Sequence, residues 1–468
     1  MNAECFDLVI IGAGPAGMAA AVEACSHGLR VALLDEQASP GGQIYRNVLH
    51  TDAQRAAILG PDYVSGQALV DAFLASSTHY IAEAAVWQVT AQKAVHFLNN
   101  GVAKVIQGRT LLLATGAYER PMPIPGWTLP GVMTAGAGQI LLKSAALLPN
   151  GPVVLAGCGP LLYLLAVQYL RAGIRPAAVV DTSGHGDLLR GAAHLPGLLR
   201  GWRDLGKGLG LLGTLRRLKI AHYRAARDLS IEGESQAQAL CFTRNGRHHR
   251  VAAELILLHQ GVVPNTQISN ALRLDHDWDN AQHCWTARRS QWGETSLEGV
   301  FIAGDGGRIG GALAAQQQGR LAALAVARQL QSIEPQQLRE REGDCRKRLA
   351  MHLALRPLLD RLYPPSPQCR APADDVIICR CEEVRAKDIR AMVALGCLGP
   401  NQTKAFSRCG MGPCQGRMCG LSVTELIASE RQVTPEHVGY YRIRPPLKPI
   451  TLAQLASETP VTHRLEAP

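Results

Sequence analysis

Aromatic residues make up only 5% of the chain, and charged residues 18%. No run of about 18 apolar residues occurs, which excludes a membrane-spanning helix. The first residues, MNAECFDLVIIGAGPAG, lack a basic leader and a small-residue cleavage site, so they read as the opening strand of a domain rather than a signal peptide. The net charge is +10, yet no block of five or more Lys/Arg occurs and no aromatics interleave with them. Nucleic-acid binding is therefore not expected. Residues 185–225 hold eight Lys/Arg against two Asp; they read as a solvated basic face, with peripheral membrane or partner docking as the alternative. No C-x-x-C or C-x4-C pair lies near residues 35–60, which argues against two-dithiol disulfide reduction. Nucleophile-elbow, kinase and metal-hydrolase motifs are also missing.

What is present is ordinary globular composition, 47% hydrophobic with 47 Gly and 27 Pro over 468 residues, enough for about three domains. Thirteen Cys, an odd number, fit a reducing, cytoplasmic compartment better than a disulfide framework. Five are scattered over residues 1–344; eight crowd between 345 and 420, the pattern of a metal site.

Two βαβ units are legible. In the first, Leu8–Ile11 is a buried strand, Gly12-Ala13-Gly14-Pro15-Ala16-Gly17 a turn, 18–27 an Ala-rich helix and Val31–Leu34 the next strand, ending at Asp35 and Glu36. The second runs through Val153–Ala156, Gly157-Cys158-Gly159-Pro160-Leu161-Leu162, a helix over 161–172, and Ala177–Val180 ending at Asp181. Strands at 110–113 and 300–303 and a long helix over 312–330 complete the pattern. They imply that the second unit is inserted into the first. The expected divisions are 1–120 with 285–335, 121–284, a helical linker 336–373 ending in Tyr363-Pro364-Pro365-Ser366-Pro367, a Cys-rich unit 374–430 and an extended tail 431–468.

Gly12-x-Gly14-x-x-Gly17 between strand and helix is a dinucleotide fingerprint. The first glycine makes the turn, the second admits the pyrophosphate, and the third lets helix and strand pack closely. Phosphates gain from the helix N-terminus, and Asp35, 23 residues after Gly12, is placed for ribose hydroxyls. The second copy has Leu162 where the third glycine belongs. It reads as a scaffold that kept the fold, with a nucleotide (NAD or ATP) at Gly157–Asp181 as the alternative. Cys379-x-Cys381 and Cys409-x4-Cys414-x4-Cys419 offer soft thiolate ligands. Two pairs about 30 residues apart beside a flavin-like domain favour a [2Fe–2S] cluster over zinc, with one of the five Cys left over.

These residues resemble a known group. Gly12–Gly17, Gly41-Gly42-Gln43-Ile44-Tyr45-Arg46, Ala114–Arg120 and Ala303-Gly304-Asp305 are similar to flavoproteins with two dinucleotide domains. Pro125–Val132, Gly157–Leu162, Ile378–Val384 and Gly410–Cys419 narrow the resemblance to the FAD and iron–sulfur subunit of heteromeric amino-acid and opine dehydrogenases, over about residues 5–455. It implies an α/β fold: two Rossmann-like domains of glutathione-reductase type, the second inserted in the first, plus a small bacterioferritin-associated-ferredoxin-like domain. It implies FAD on Gly12, Gly14, Pro15, Ala16, Gly17, Asp35, Glu36, Gly42, Gln43, Thr115, Gly116, Gly304 and Asp305. It implies [2Fe–2S] on Cys379, Cys381, Cys414 and Cys419, leaving Cys409 spare. It also implies a separate β subunit, a flavoprotein of D-amino-acid-oxidase type, and a small third ferredoxin-like subunit in some complexes. Electrons would pass through this chain to an external acceptor. A stand-alone NAD(P)H-dependent reductase and a non-catalytic scaffold are the alternatives.

Overall fold

A computed structural model describes residues 4–184 and 201–458. The first sheet contains β1 (Cys5–Ile11), β2 (Val31–Leu34), β3 (His79–Ile81), β4 (Ala85–Val89), β5 (Ala94–Asn99) and β6 (Val102–Leu113), in the order β3-β2-β1-β6-β5-β4. β1 runs parallel to β2 and β6, whereas β4 and β5 form an antiparallel extension. Leu8–Ile10 and Val31–Leu34 are buried, as continuous apolar strands covered on both faces must be. The helix Pro15–Ser26 packs on the helix Ala312–Gln329 through small residues; a Cβ on Gly319 would lie 2.0 Å from the Ala16 carbonyl oxygen.

The chain then leaves this sheet through β7 (Ala117–Glu119). The second domain follows with β8 (Val132–Thr134), β9 (Val153–Cys158), β10 (Ala178–Asp181), β11 (His222–Arg224), β12 (Arg227–Glu232), β13 (Ala239–Arg244), β14 (Arg247–Ala252) and β15 (Leu255–Gln260). Its parallel sheet has the order β11-β10-β9-β15-β8, and β12–β14 form a separate antiparallel sheet. β16 (Val262–Pro264) returns alongside β7, the hairpin β17 (His276–Asp279) and β18 (Cys284–Ala287) follows, and β19 (Val300–Ile302) pairs with β6. The return of β19 to the first sheet makes the second domain an insertion.

Helices Pro335–Leu353, Arg356–Leu362 and Pro367–Arg370 cross to the C-terminal unit, leaving Tyr363–Ser366 irregular between them. That unit has a short hairpin, β20 (Ile377–Cys379) with β21 (Val384–Arg385), and helices Ala386–Ala394, Pro400–Ser407 and Gly420–Arg431. The stretch read as a tail has no helix or strand over 442–449, but it is packed. Tyr441, Ile443 and Leu447 are buried while Arg442 and Arg444 face out, an alternation of period two. The Leu447 N–H donates to the Trp87 carbonyl (2.7 Å), and Lys448 pairs with Glu36. Of the basic stretch 185–225, residues 185–200 lie outside the described residues; in the remainder Lys207 pairs with Asp62 at 2.8 Å. Among the described residues no helix is long and apolar enough to cross a membrane.

Candidate cofactor sites

The carboxyl ends of β1, β6 and β19 converge on the first glycine turn. A Cβ on Gly12 would stand 2.5 Å from the Ala114 carbonyl oxygen, and one on Gly17 1.9 Å from the Gly12 carbonyl oxygen, so both positions exclude side chains. Gly14 differs: with ordinary φ of −79°, nothing lies within 4 Å of its Cβ position. The turn is closed behind and open in front, the shape a pyrophosphate needs. Pro15 opens the helix, and no acidic residue in its first turn opposes an anion.

Asp35 ends β2, accepts the Ala13 N–H (2.5 Å) and the Gln37 N–H (2.8 Å), and is held above the usual carboxylate range by burial. Glu36 is exposed and faces Lys448. A Cβ on Gly42 would lie 2.8 Å from the Gly14 Cα, which brings the loop 41–46 to the turn. Gly304 packs on Ala16, Gly306 on Thr115, and the Asp305 carboxylate accepts the Gly310 and Gly311 N–H groups (2.7 and 2.9 Å). The Thr115 hydroxyl donates to the Asn265 carbonyl, and the Asn265 N–H to the Gly116 carbonyl. The residues named from sequence thus gather at one end of one sheet.

Three neighbours were missed. Arg46 donates to Gln37 and keeps its Nε buried without a partner, within electrostatic reach of Asp35. The Tyr80 hydroxyl is likewise unpartnered beside Asp35. Lys143, on the second domain's helix Ala135–Ala145, donates to the Gln43 and Ile44 carbonyls (3.1 and 3.0 Å). Burial lowers its pKa to about 7. Arg46 was visible as the end of the Gly41–Arg46 motif; Tyr80 and Lys143 carry no local signal. An unpartnered buried Nε on Arg46, an open Gly14 and a ribose-placed Asp35 fit the dinucleotide FAD.

The second glycine turn is built alike and used otherwise. A Cβ on Gly157 would lie 1.7 Å from the His259 carbonyl oxygen, and Leu162 is fully buried in the core. Asp181, the counterpart of Asp35, is fully buried. It accepts the Ser183 N–H (2.8 Å) and hydroxyl and the Tyr163 hydroxyl, with Arg224 at 3.6 Å. Across the carboxyl ends of β9 and β15 lies the proline segment. The Cys158 thiol donates to the Pro364 carbonyl (3.5 Å) and the Ser366 N–H to the Gln260 side chain (2.8 Å). Gln260 donates on to Thr182 (3.1 Å), and Gln368 brackets Leu229. This is where an open α/β sheet takes its ligand. Here the chain itself occupies part of it.

The third group is the cysteines. Cys379, Cys409 and Cys419 are buried, and their sulfurs lie within 4.8 Å of one another. Hydrogen bonds from Cys409, then Cys419, pull the Cys379 thiol far below its usual range. Cys381 is exposed and hydrogen-bonds to Cys414. The four expected ligands therefore form two pairs, each drawn from both motifs: Cys379 with Cys419 inside, Cys381 with Cys414 outside. Cys409, the fifth thiol, lies with the inner group. Arg408 and Gly410, on either side of it, have left-handed backbone, and a Cβ on Gly412 would lie 2.2 Å from the Cys381 Cβ, so the loop packs on the hairpin. Five thiols with one readily ionised suit a thiophilic metal centre. The unit is held to the rest by the Trp127 indole, which donates to the Ile377 carbonyl (2.8 Å), and by Glu425 between Arg370 (2.7 Å) and Arg120 (3.6 Å).

Residues 6–173 match the pyridine nucleotide-disulphide oxidoreductase family, and residues 376–459 the sarcosine oxidase A3 domain. The chain is 45% identical to the A subunit of opine oxidase from Agrobacterium tumefaciens (strain Ach5), over 99% of this chain and 93% of that protein. The chain belongs to the family of opine oxidase A subunits. Members of this family and its neighbours make it a flavin-dependent oxidoreductase subunit. Hydrogen cyanide synthase subunit HcnB of Pseudomonas protegens is 32% identical over 94% of this chain and 96% of its own length. The crystal structure of L-proline dehydrogenase from P. horikoshii shares the fold, with a TM-score of 0.70 at 17% identity, covering 97% of this chain and 80% of that one.

Proposed function

We propose that this chain is the electron-relay subunit of a heteromeric dehydrogenase acting on an amino acid, imino acid or opine. A separate flavin subunit, of the D-amino-acid-oxidase type, would oxidise the substrate C–N bond. FAD on the Gly12–Gly17 turn and a [2Fe–2S] centre on Cys379, Cys381, Cys414 and Cys419 would supply one- and two-electron chemistry here. The chain's own residues do the placing. Gly14 leaves room for the pyrophosphate, Asp35 and Arg46 flank the ribose region, and Lys143 pins the Gln43–Ile44 loop from the second domain. Tyr118, two residues after Gly116, hydrogen-bonds to Tyr440, which lies near Cys414 and Cys419; this supports electron passage between the two sites.

One observation carries this reading over a self-contained reductase: Tyr363–Ser366 lies in the crevice where a pyridine nucleotide would enter. Electrons would then come from a partner. The test is an anaerobic visible spectrum of the purified chain. Flavin and iron–sulfur bands unmoved by NADH, but bleached when an opine or imino acid is added together with the partner, are expected. Bleaching by NADH alone would sink the reading. Within the Cys-rich unit, Cys414→Ser should lose iron and sulfide, whereas Cys409→Ser should retain both.

A further inference from the structure

Tyr441 follows the last helices of the Cys-rich unit and is only 2% exposed. Its ring lies against two glycines of the cysteine loop. A Cβ on Gly410 would be 2.6 Å from the Tyr441 Cζ and 2.9 Å from its hydroxyl oxygen, and one on Gly416 2.5 Å from Cδ2. Lys404 sits over the ring, 5.6 Å from its centre. The hydroxyl is buried and has no hydrogen-bond partner. Its polar neighbours are the sulfurs of Cys409 and Cys419. A buried hydroxyl without an acceptor is costly, and nothing in the packing of a phenylalanine would require the oxygen.

We infer that the Tyr441 hydroxyl is a positioning group for the thiolate centre, donating its proton to the sulfur of Cys419 once that sulfur is a ligand. The inference rests on the proposal that these cysteines hold an iron–sulfur cluster. A hydrogen bond to a ligand sulfur withdraws electron density and stabilises the reduced, more negative state. Tyr441 thereby raises the reduction potential of the centre and makes it a better acceptor. The two glycines serve the same end, because any side chain there would displace the ring.

The measurement is a redox titration of the full-length chain followed by electron paramagnetic resonance, with iron and acid-labile sulfide assayed in the same samples. In Tyr441→Phe, iron, sulfide and flavin contents should match the wild type. At the wild-type midpoint potential the ratio of reduced to oxidised centre should fall about tenfold. A wild-type ratio in Tyr441→Phe overturns the inference. Should Tyr441→Phe fail to fold or to load, the wild type decides: the reduced centre must show a strongly coupled proton that exchanges in deuterium oxide, and its absence overturns the inference equally. A wild-type chain without iron and sulfide defeats the relay proposal itself, and this inference with it.

Discussion

Two glycine turns of the same design sit about 145 residues apart, and the molecule treats them in opposite ways. At Gly12–Gly17 the turn is closed toward the protein and open at Gly14, with a half-buried Asp35 that accepts only backbone donors among its hydrogen bonds. At Gly157–Leu162 the acid is fully buried and taken up by Tyr163 and Ser183, and the linker lies across the strand ends. One βαβ unit leaves its turn open and the other spends its acid on internal cohesion. Shared topology therefore fixes where a ligand would sit, while side chains arriving from elsewhere decide whether there is room for one.

The sharpest break of this comparison is Gly14→Val. A Cβ there has no protein atom within 4 Å, so the fold should survive by circular dichroism while bound flavin is lost. Gly159→Val should do the reverse: φ of +113° strains the variant by about 1–3 kcal/mol, read as a lower Tm, with flavin content unchanged. Exchanging the acids extends the contrast. Asp181→Asn leaves buried donors mismatched and should cost about 1–3 kcal/mol in denaturant unfolding, whereas Asp35→Asn should weaken flavin retention with little change in stability.

Lys143 gives a pH-dependent test. Its folded pKa of about 7 lies below the unfolded value of 10.5, so between these the unfolded chain binds the extra proton. Stability should therefore rise with pH across that window, by at most about 1.4 kcal/mol per pH unit, with the full penalty present below pH 7. Lys143→Met should flatten that slope; an unchanged slope would remove Lys143 from the account. The smallest expected effect is none: Leu162→Gly restores the glycine pattern but leaves Tyr363–Ser366 in place, so NADH should still not reduce the flavin.

Strand, turn and helix of both units were legible because apolar runs, glycines and terminal acids are local features. The inserted arrangement was legible too, since Val300–Ala303 repeats the strand-to-glycine pattern of Thr110–Gly116. Other features were not. Tyr363–Ser366 reads as a boundary because proline clusters usually mark linkers; its place in the crevice depends on Cys158 and Gln260, 206 and 106 residues away from their partners in it. Lys143 reaches Gln43 across 100 residues, and a lone Lys in an amphipathic helix announces nothing. The meeting of Cys409 with Cys379 and Cys419 was not legible either, because spacing counts residues along the chain, whereas the fold brings their sulfurs within 4.8 Å.

The sequence by itself determined two nucleotide-type βαβ units, a cysteine-rich unit after them, the residues of an open phosphate turn and the likeness to a flavin and iron–sulfur subunit. All of these depend on residue type and short spacing. Tertiary structure alone decided that the crevice of the second turn is partly occupied by the chain's own linker, that the five cysteines divide into an inner and an outer group, and that the buried Tyr441 ring lies against the cysteine loop. Each depends on groups brought together from distant parts of the chain, and only packing sets those distances.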